Sequence, residues 1–315
     1  MLFLAHRVGL LAATLLAAAL VVFIVMQILP GDPAAVALGT GARPDTLAAL
    51  RHTMGLDRPA PLRFLTWLLA LLRGDGGDSL AYHVPVFTLI AQRAVVSVPL
   101  ALLAVTISTA LAIPVGVAAA ARRGRIGDTL AMGIAQLGVA LPDFWLGLVL
   151  ILLFAISWQV LPAGGFPGWQ AGLGAGLRAL LLPALALALP QAAILARVTR
   201  GALAETLEEE YVLAARARGL SRQAALWRHA LPNALAPVLT ILGLQLSFLL
   251  AGTVIVENVF ALPGLGRLLF QAIAGRDLPV VQDVVLLLVA TVVLANFAVD
   301  LIQAALDPRL RDPVP

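Results

Sequence analysis

Cysteine and lysine are both missing from this 315-residue chain, and charged residues of either sign make up only 12% of it. Without cysteine there is no disulfide, no thiolate nucleophile and no Cys-based zinc or iron–sulfur site. Without lysine there is no P-loop amine to hold nucleotide phosphates and no Schiff base, so the chain is not expected to hydrolyse ATP by itself. What is present is 61% hydrophobic, with a mean hydropathy of +0.99. A soluble domain cannot hide that much apolar surface, so the composition implies an all-helical integral membrane protein. The isoelectric point near 10.8 accompanies a formal charge of only +4. No basic patch is interleaved with aromatics, so nucleic acid is not an expected partner; the arginines report membrane orientation instead.

Apolar runs predict six spans, each close to or above the ~20 residues that cross ~30 Å of hydrocarbon. The first, Val8 to Leu29, is 22 uncharged residues long. It outruns the ~7–15-residue core of a secretory signal and continues past Ala17-Ala18-Ala19, which favours a retained helix. Residues 30–93 carry mixed charge and read as extramembrane, with short amphipathic helices such as Pro61 to Leu72. The second span is Val95 to Ala121, ending at Arg122-Arg123-Gly124-Arg125, and the third lies within Thr129 to Pro162 and contains Pro142-Asp143. A Gly- and Trp-rich loop follows at 163–176. The remaining spans are Ala179 to Ala196, Ala234 to Val256 and Val280 to Leu306.

Twelve arginines fall on one side of this arrangement: Arg7, Arg122, Arg123, Arg125, six between Arg197 and Arg228, Arg309 and Arg311. Three (Arg178, Arg267, Arg276) fall in the short opposite loops, and the long 30–93 segment is a weak voter. The expected topology has both termini cytoplasmic and residues 30–93 outside.

The cytoplasmic loop 199–233 is more elaborate than a connection requires. Ala202 to Arg218 reads as one helix, with Glu205, Glu208, Glu209 and Glu210 toward its start and Arg216 and Arg218 at its end, as the helix dipole favours. Gly219 suits a left-handed C′ position, and Ser221 can cap a second helix. That helix carries Trp227 between Arg222 and Arg228 and is expected to stop at Leu231-Pro232. A protein-docking knob and a helix lying on lipid headgroups fit this pattern equally well.

Ala214-Ala215-x3-Gly219, followed by Leu231-Pro232, resembles the EAA loop of binding-protein-dependent ABC importer permeases, with Leu213 at the motif's Glu position and His229 at its usual Ile. The wider resemblance is to the dipeptide/oligopeptide/nickel permease family. It is carried by Leu29-Pro-Gly-Asp-Pro33, Leu56-Asp57, Arg122-Arg123-Gly124, Pro142-x-Phe144-Trp145-Leu-Gly147, Ala217-Arg-Gly219-Leu220, Val256-Glu257, Phe260-Ala-Leu-Pro-Gly-Leu-Gly-Arg267 and Leu306-Asp-Pro-Arg309, and covers essentially the whole chain. The resemblance implies an ABC importer permease fold with an external N-terminal insertion. Its segments are a first helix plus periplasmic segment (1–93), a five-helix core (94–306) and a cytoplasmic tail (307–315). It implies a second homologous permease, two ATPase subunits that use ATP and Mg, and a periplasmic substrate-binding protein. It also implies an inner-membrane location, a peptide substrate, and no cofactor bound by this chain. The helix Ser221 to Ala230 would be the coupling helix, with Ala214, Ala215, Gly219, Ser221, Arg222, Trp227, Leu231 and Pro232 forming the ATPase-coupling element.

Carboxylates in apolar spans invite a role, because each costs roughly 2.5–3.5 kcal/mol at the bilayer centre. Asp143 reads either as lining the translocation pathway or as a hydrogen-bonded residue at a helix break. Glu257 reads as a rim or gate residue, or as a solvated helix end. Asp283 and Asp300 read as structural residues near the interfaces, and Trp67, Trp145, Trp158 and Trp169 as interfacial anchors. Phe260 to Arg267 reads as a turn. His52, His83 and His229 make no metal-ligand spacing. The competing functional reading is a proton-coupled secondary peptide carrier with Asp143 and Glu257 as its relay; an intramembrane hydrolase lacks any motif.

Overall fold

A computed structural model describes residues 2–28, 33–38, 43–53 and 55–306. The motif Leu29-Pro-Gly-Asp32, the residues after Leu306 with Arg309 and Arg311, and the tail 307–315 lie outside the described residues. The helices are α1 (Leu2–Ile28), α2 (Pro33–Leu38), α3 (Pro44–Thr53), α4 (Ala60–Leu72), α5 (Val86–Ala121), α6 (Ile126–Ala140) and α7 (Asp143–Leu150), the last continued by a π-helix, Ile151–Ser157. They are followed by α8 (Leu173–Thr206), α9 (Glu210–Ala217), α10 (Arg222–Ala225) with a π-turn at Leu226–Ala230, α11 (Leu231–Val259), α12 (Leu265–Ala274) and α13 (Leu278–Leu306). Among the described residues the only β-pairing is an isolated bridge, Asp78 to Pro85.

Five helices are long and apolar enough to cross a membrane, and a sixth span arises if the bent pair α6–α7 is taken as one. Proline at 99, 114, 183, 190 and 237 sits inside these spans, tolerated because neighbouring helices and local adjustments re-satisfy the freed backbone groups.

The third span is broken at the Pro142-Asp143 step, where α6 and α7 meet at 102°. The cause is Pro142. A residue before proline is pushed out of the helical region, and Leu141 (ψ 127°) and Pro142 (ψ 140°) are both extended. At 1.5 Å per residue, neither arm alone crosses the hydrocarbon.

The chain divides into two compact units. The first comprises residues 1–97 and 263–294. Its core joins Val22 and Met26 of α1, Val86 and Ile90 of α5, Leu268 of α12 and Val284 of α13. Phe23, Phe64 and Trp67 cluster between α1 and α4 with ring centroids 5.4–6.2 Å apart. Trp67 is half-buried in this cluster and donates to Asp283. Asp277 is wholly buried, accepting hydrogen bonds from the Ser79 hydroxyl and from the backbone N–H groups of Leu80 and Ala81 (both 3.1 Å), which pins the 79–82 loop.

The second unit comprises residues 98–262 and 295–315, with α8 at its centre. Leu180, Leu187, Leu195 and Leu203 of α8 are fully buried. Close approach of α5 to α8 depends on Gly116, where a Cβ would lie 2.7 Å from the Ala196 carbonyl oxygen and from Thr199 Cβ. Gly165 donates to the Phe260 carbonyl (2.8 Å), so the loop after α7 is tied to the end of α11.

Candidate functional site

The 199–233 segment folds differently from its sequence reading in two places. Ala202 to Arg218 is not one helix: α8 continues to Thr206, a turn occupies 207–209, and α9 starts at Glu210. Arg123 bonds Glu208 at this turn, joining the 122–125 connection to it. Nor does Pro232 stop the second helix. It stands in the first turn of α11, which follows α10 and the π-turn without a break. Proline lacks an N–H and crowds the carbonyl four residues back. The wider turn just before it, with Leu231 N–H bonded to the Leu226 carbonyl, takes up that misfit.

The turn between α9 and α10 has the local chemistry expected. Gly219 has φ +96°. Its N–H bonds the Arg216 carbonyl (3.0 Å), and Leu220 N–H bonds the Ala215 carbonyl (3.2 Å), the two bonds of a Schellman C-cap. Ser221 Oγ accepts from Ala224 N–H (3.2 Å) as an N-cap. Arg222 Nη2 donates to the Ala121 carbonyl (3.0 Å), capping the C-terminal end of α5.

The short helix has an inner and an outer face. Ala225, Leu226 and Ala230 are buried against Val117 and Ala120 of α5 together with Leu203 and Val212. Trp227 is 56% exposed, and Arg222, Arg228, Ser221, Ala214, Gly219 and Pro232 are exposed around it; Ala215 and Leu231 are half-buried. Asn233, which sequence reasoning passed over, donates to Tyr211 Oη (2.9 Å) and to the His229 carbonyl (2.8 Å), bracing α9 against the root of α11.

Asp128 is a second residue that sequence reasoning missed. It lies buried in the first turn of α6, gripped by Arg200 of α8 and by Gly124 N–H. A lone carboxylate beside the Arg122–Arg125 cluster was the available signal.

Asp143 opens α7 at the 102° bend and is half-buried. A Cβ on Gly252 of α11 would lie 3.0 Å from Asp143 Oδ2 and 3.0 Å from Leu187 Cδ2, so α7, α8 and α11 converge at that glycine. Glu257, five residues further along α11, is fully buried, which removes the solvated-helix-end reading. Phe260 to Gly264 form the turn after α11, whereas Arg267 already belongs to α12. No cluster of potential metal ligands occurs among the described residues.

Two family models together match nearly the whole chain: the binding-protein-dependent transport system inner membrane component over residues 112–312, and the N-terminal region of such membrane components over residues 1–110. A putative peptide transport system permease protein of Brucella abortus (strain 2308) is 42% identical over 306 residues, 97% of each chain. The dipeptide transport system permease protein DppB of Escherichia coli (strain K12) is 35% identical over 333 residues, 98% of each. The fold is similar to that of a chain in an inward-facing structure of the MetNI methionine ABC transporter, with TM-score 0.58, 22% identity, and coverage of 70% of this chain and 96% of that one. This chain belongs to the family of inner-membrane permease components of binding-protein-dependent transport systems. It is a multi-pass inner-membrane protein with the ABC importer permease fold, and the self-sufficient carrier finds no support in these likenesses.

Proposed function

We propose that this chain forms half of the translocation pathway of an ATP-driven importer of di- or oligopeptides, pairing with a second, homologous permease. Two separate ATPase subunits use ATP and Mg, and a periplasmic binding protein delivers the substrate. The peptide assignment is supported by the names of its relatives. In this reading residues 1–93 are a first span plus periplasmic segment, 94–306 the transport core and 307–315 a tail, with both termini cytoplasmic.

The Ser221–Ala230 helix docks on an ATPase. The observation that carries this is its two-faced packing: Ala225, Leu226 and Ala230 seat it on α5, while Trp227 stays exposed between Arg222 and Arg228. A helix so seated moves with its spans, and an exposed aromatic flanked by arginines is suited to a partner's pocket. Ala214, Ala215, Gly219, Ser221, Leu231 and Pro232 shape the segment that presents it. Asp143 and Glu257 are proposed pathway residues.

The test is a reconstituted transporter in vesicles. Trp227→Ala is expected to leave insertion and assembly intact while uncoupling ATP hydrolysis from peptide uptake. Full coupling in this variant would sink the docking assignment, and peptide uptake by the chain alone down a proton gradient would sink the importer reading.

A further inference from the structure

A groove of about 420 Å³ runs beside the junction of α5 and α10, within the second unit. Its α5 wall is Pro114, Val117, Ala118 and Ala121, at the i, i+3, i+4, i+7 spacing of one helix face. Gln223, Leu226 and Trp227 form the other wall, with Val117 and Leu226 buried and Trp227 exposed. Arg122 and Arg222 complete the lining at the Ala121 end, and no acid lines the groove. Arg222 gives one N–H to the Ala121 carbonyl (3.0 Å), which leaves its other guanidinium donors for a ligand. Arg122 is exposed and takes no part in the neighbouring ion pairs, Arg123 with Glu208 and Arg200 with Asp128.

The depth of the groove in the bilayer follows from the register of α5. Between Arg93 and Arg122 the sequence is free of charge. Counted from Ala94, about 20 residues at ~1.5 Å each cover the ~30 Å of hydrocarbon and reach Ile113. The stretch from Pro114 to Arg122 then advances ~12 Å at most along the membrane normal, through a headgroup layer about 5–8 Å thick. The apolar wall therefore starts at the acyl boundary, and the long Arg122 and Arg222 side chains can reach back to lipid phosphates. A phosphate answers both guanidiniums, and the exposed indole of Trp227 suits the same interface. A zwitterionic headgroup would bring an ammonium that meets no carboxylate here, so an anionic one fits better.

We infer that this groove binds one anionic phospholipid of the cytoplasmic leaflet, its phosphate on Arg122 and Arg222 and an acyl chain leaving along Ala118 and Pro114. The lipid ties the end of α5 to the segment that presents Trp227, so that ATPase coupling depends on the anionic lipid content of the membrane. This rests on the cytoplasmic placement and the coupling role proposed above for that segment.

The experiment places the full chain in phosphatidylcholine nanodiscs and follows tryptophan quenching by phosphatidylglycerol brominated on its acyl chains. Trp227→Phe isolates the share of Trp227. Saturable quenching is expected, beyond that given by brominated phosphatidylcholine at the same mole fraction. Arg122→Gln should raise the half-saturating fraction about fivefold, the effect of one arginine near an anionic surface. Arg122→Gln combined with Arg222→Gln should abolish the excess. Arg125→Gln, a neighbour outside the lining, should leave the half-saturating fraction unchanged. Equal quenching by the two lipids, or an equal shift in Arg125→Gln, overturns the inference. The lipid comparison on the unaltered chain holds even if a variant fails to insert. Adding the ATPase subunits should preserve the excess quenching; its loss would mean that an ATPase segment, and not lipid, occupies the groove. ATP-driven dialanine uptake by the complete transporter is measured in vesicles with and without phosphatidylglycerol. It should rise several-fold with that lipid, and less so in Arg122→Gln. Uptake indifferent to the lipid overturns the lipid site and leaves the import reading standing; no uptake in either membrane removes the import reading itself.

Discussion

Arg200 holds both carboxylate oxygens of Asp128, with Nη2 2.8 Å from Oδ2 and Nε 3.1 Å from Oδ1. The two residues are 72 positions apart, on α8 and α6, and Gly124 N–H gives Oδ2 a further donor at 3.0 Å. Removing one member of such a pair leaves a charge desolvated and unanswered. Asp128→Ala should therefore destabilise the second unit by roughly 3 kcal/mol, at the low end for buried pairs because Arg200 retains some water contact. The thermal midpoint in detergent measures this. Asp128→Leu combined with Arg200→Met should recover much of the loss, since replacing both charges by apolar groups is often neutral.

Gly219 has nothing within 4 Å of where a Cβ would stand, so its requirement is conformational and not steric. At φ +96° an alanine would cost about 1–2 kcal/mol in backbone strain. Gly219→Ala should loosen the α9–α10 turn and lower coupled transport, while Gly219→Asn, which tolerates left-handed backbone better, should retain more. Hydrogen exchange at Leu220 and Ala224 reads the turn directly. Unchanged protection in Gly219→Ala would falsify the account.

Leu226 and Trp227 are neighbours with opposite surroundings, buried and exposed respectively. Leu226→Ala is expected to cost about 2–5 kcal/mol as a core truncation. Trp227→Ala should stay within about 0.5 kcal/mol of the parent, like other surface changes. Thermal unfolding of the two variants side by side checks the contrast.

Gly116 leaves no room for a side chain against Ala196 and Thr199. Gly116→Val must force α5 away from α8 or strain both, at a cost of roughly 1–3 kcal/mol or more. Expression level and midpoint should both fall. Gly133, which has open space around it, is the matched control, and Gly133→Ala should be nearly silent.

Asp277 gathers Ser79, Leu80 and Ala81 around one carboxylate. Asp277→Ala should release the 79–82 loop, with proteolysis near Tyr82 increasing several-fold while the long spans stay inserted. Asp277→Asn keeps an acceptor oxygen and should show about half the effect or less, as the bonds lose charge assistance.

How legible this protein is depends on how far each cause reaches along the chain. The long helices follow from apolar runs. The Schellman turn at Gly219 and the cap at Ser221 follow from chemistry within a few residues. The kink at Pro142 has a local cause too, but its 102° size does not, since the helices packed around the break help decide the angle. Pro232 misled for the same reason. Its ring predicts a stop, whereas packing of Leu226 and Ala230 against α5 favours continuing the helix through a π-turn.

By itself the sequence determined an all-helical membrane chain, its apolar spans and a capped turn at Gly219–Ser221. Only the tertiary structure decided that Glu257 is fully buried, that Asp128 belongs to Arg200, that Asp277 anchors the 79–82 loop, and that Asp283 is buried and accepts from Trp67. Helical periodicity and turn chemistry act over a few residues and are written in the local order of side chains. The partner of a buried carboxylate is set by which distant helices meet, and that depends on how all their surfaces pack at once.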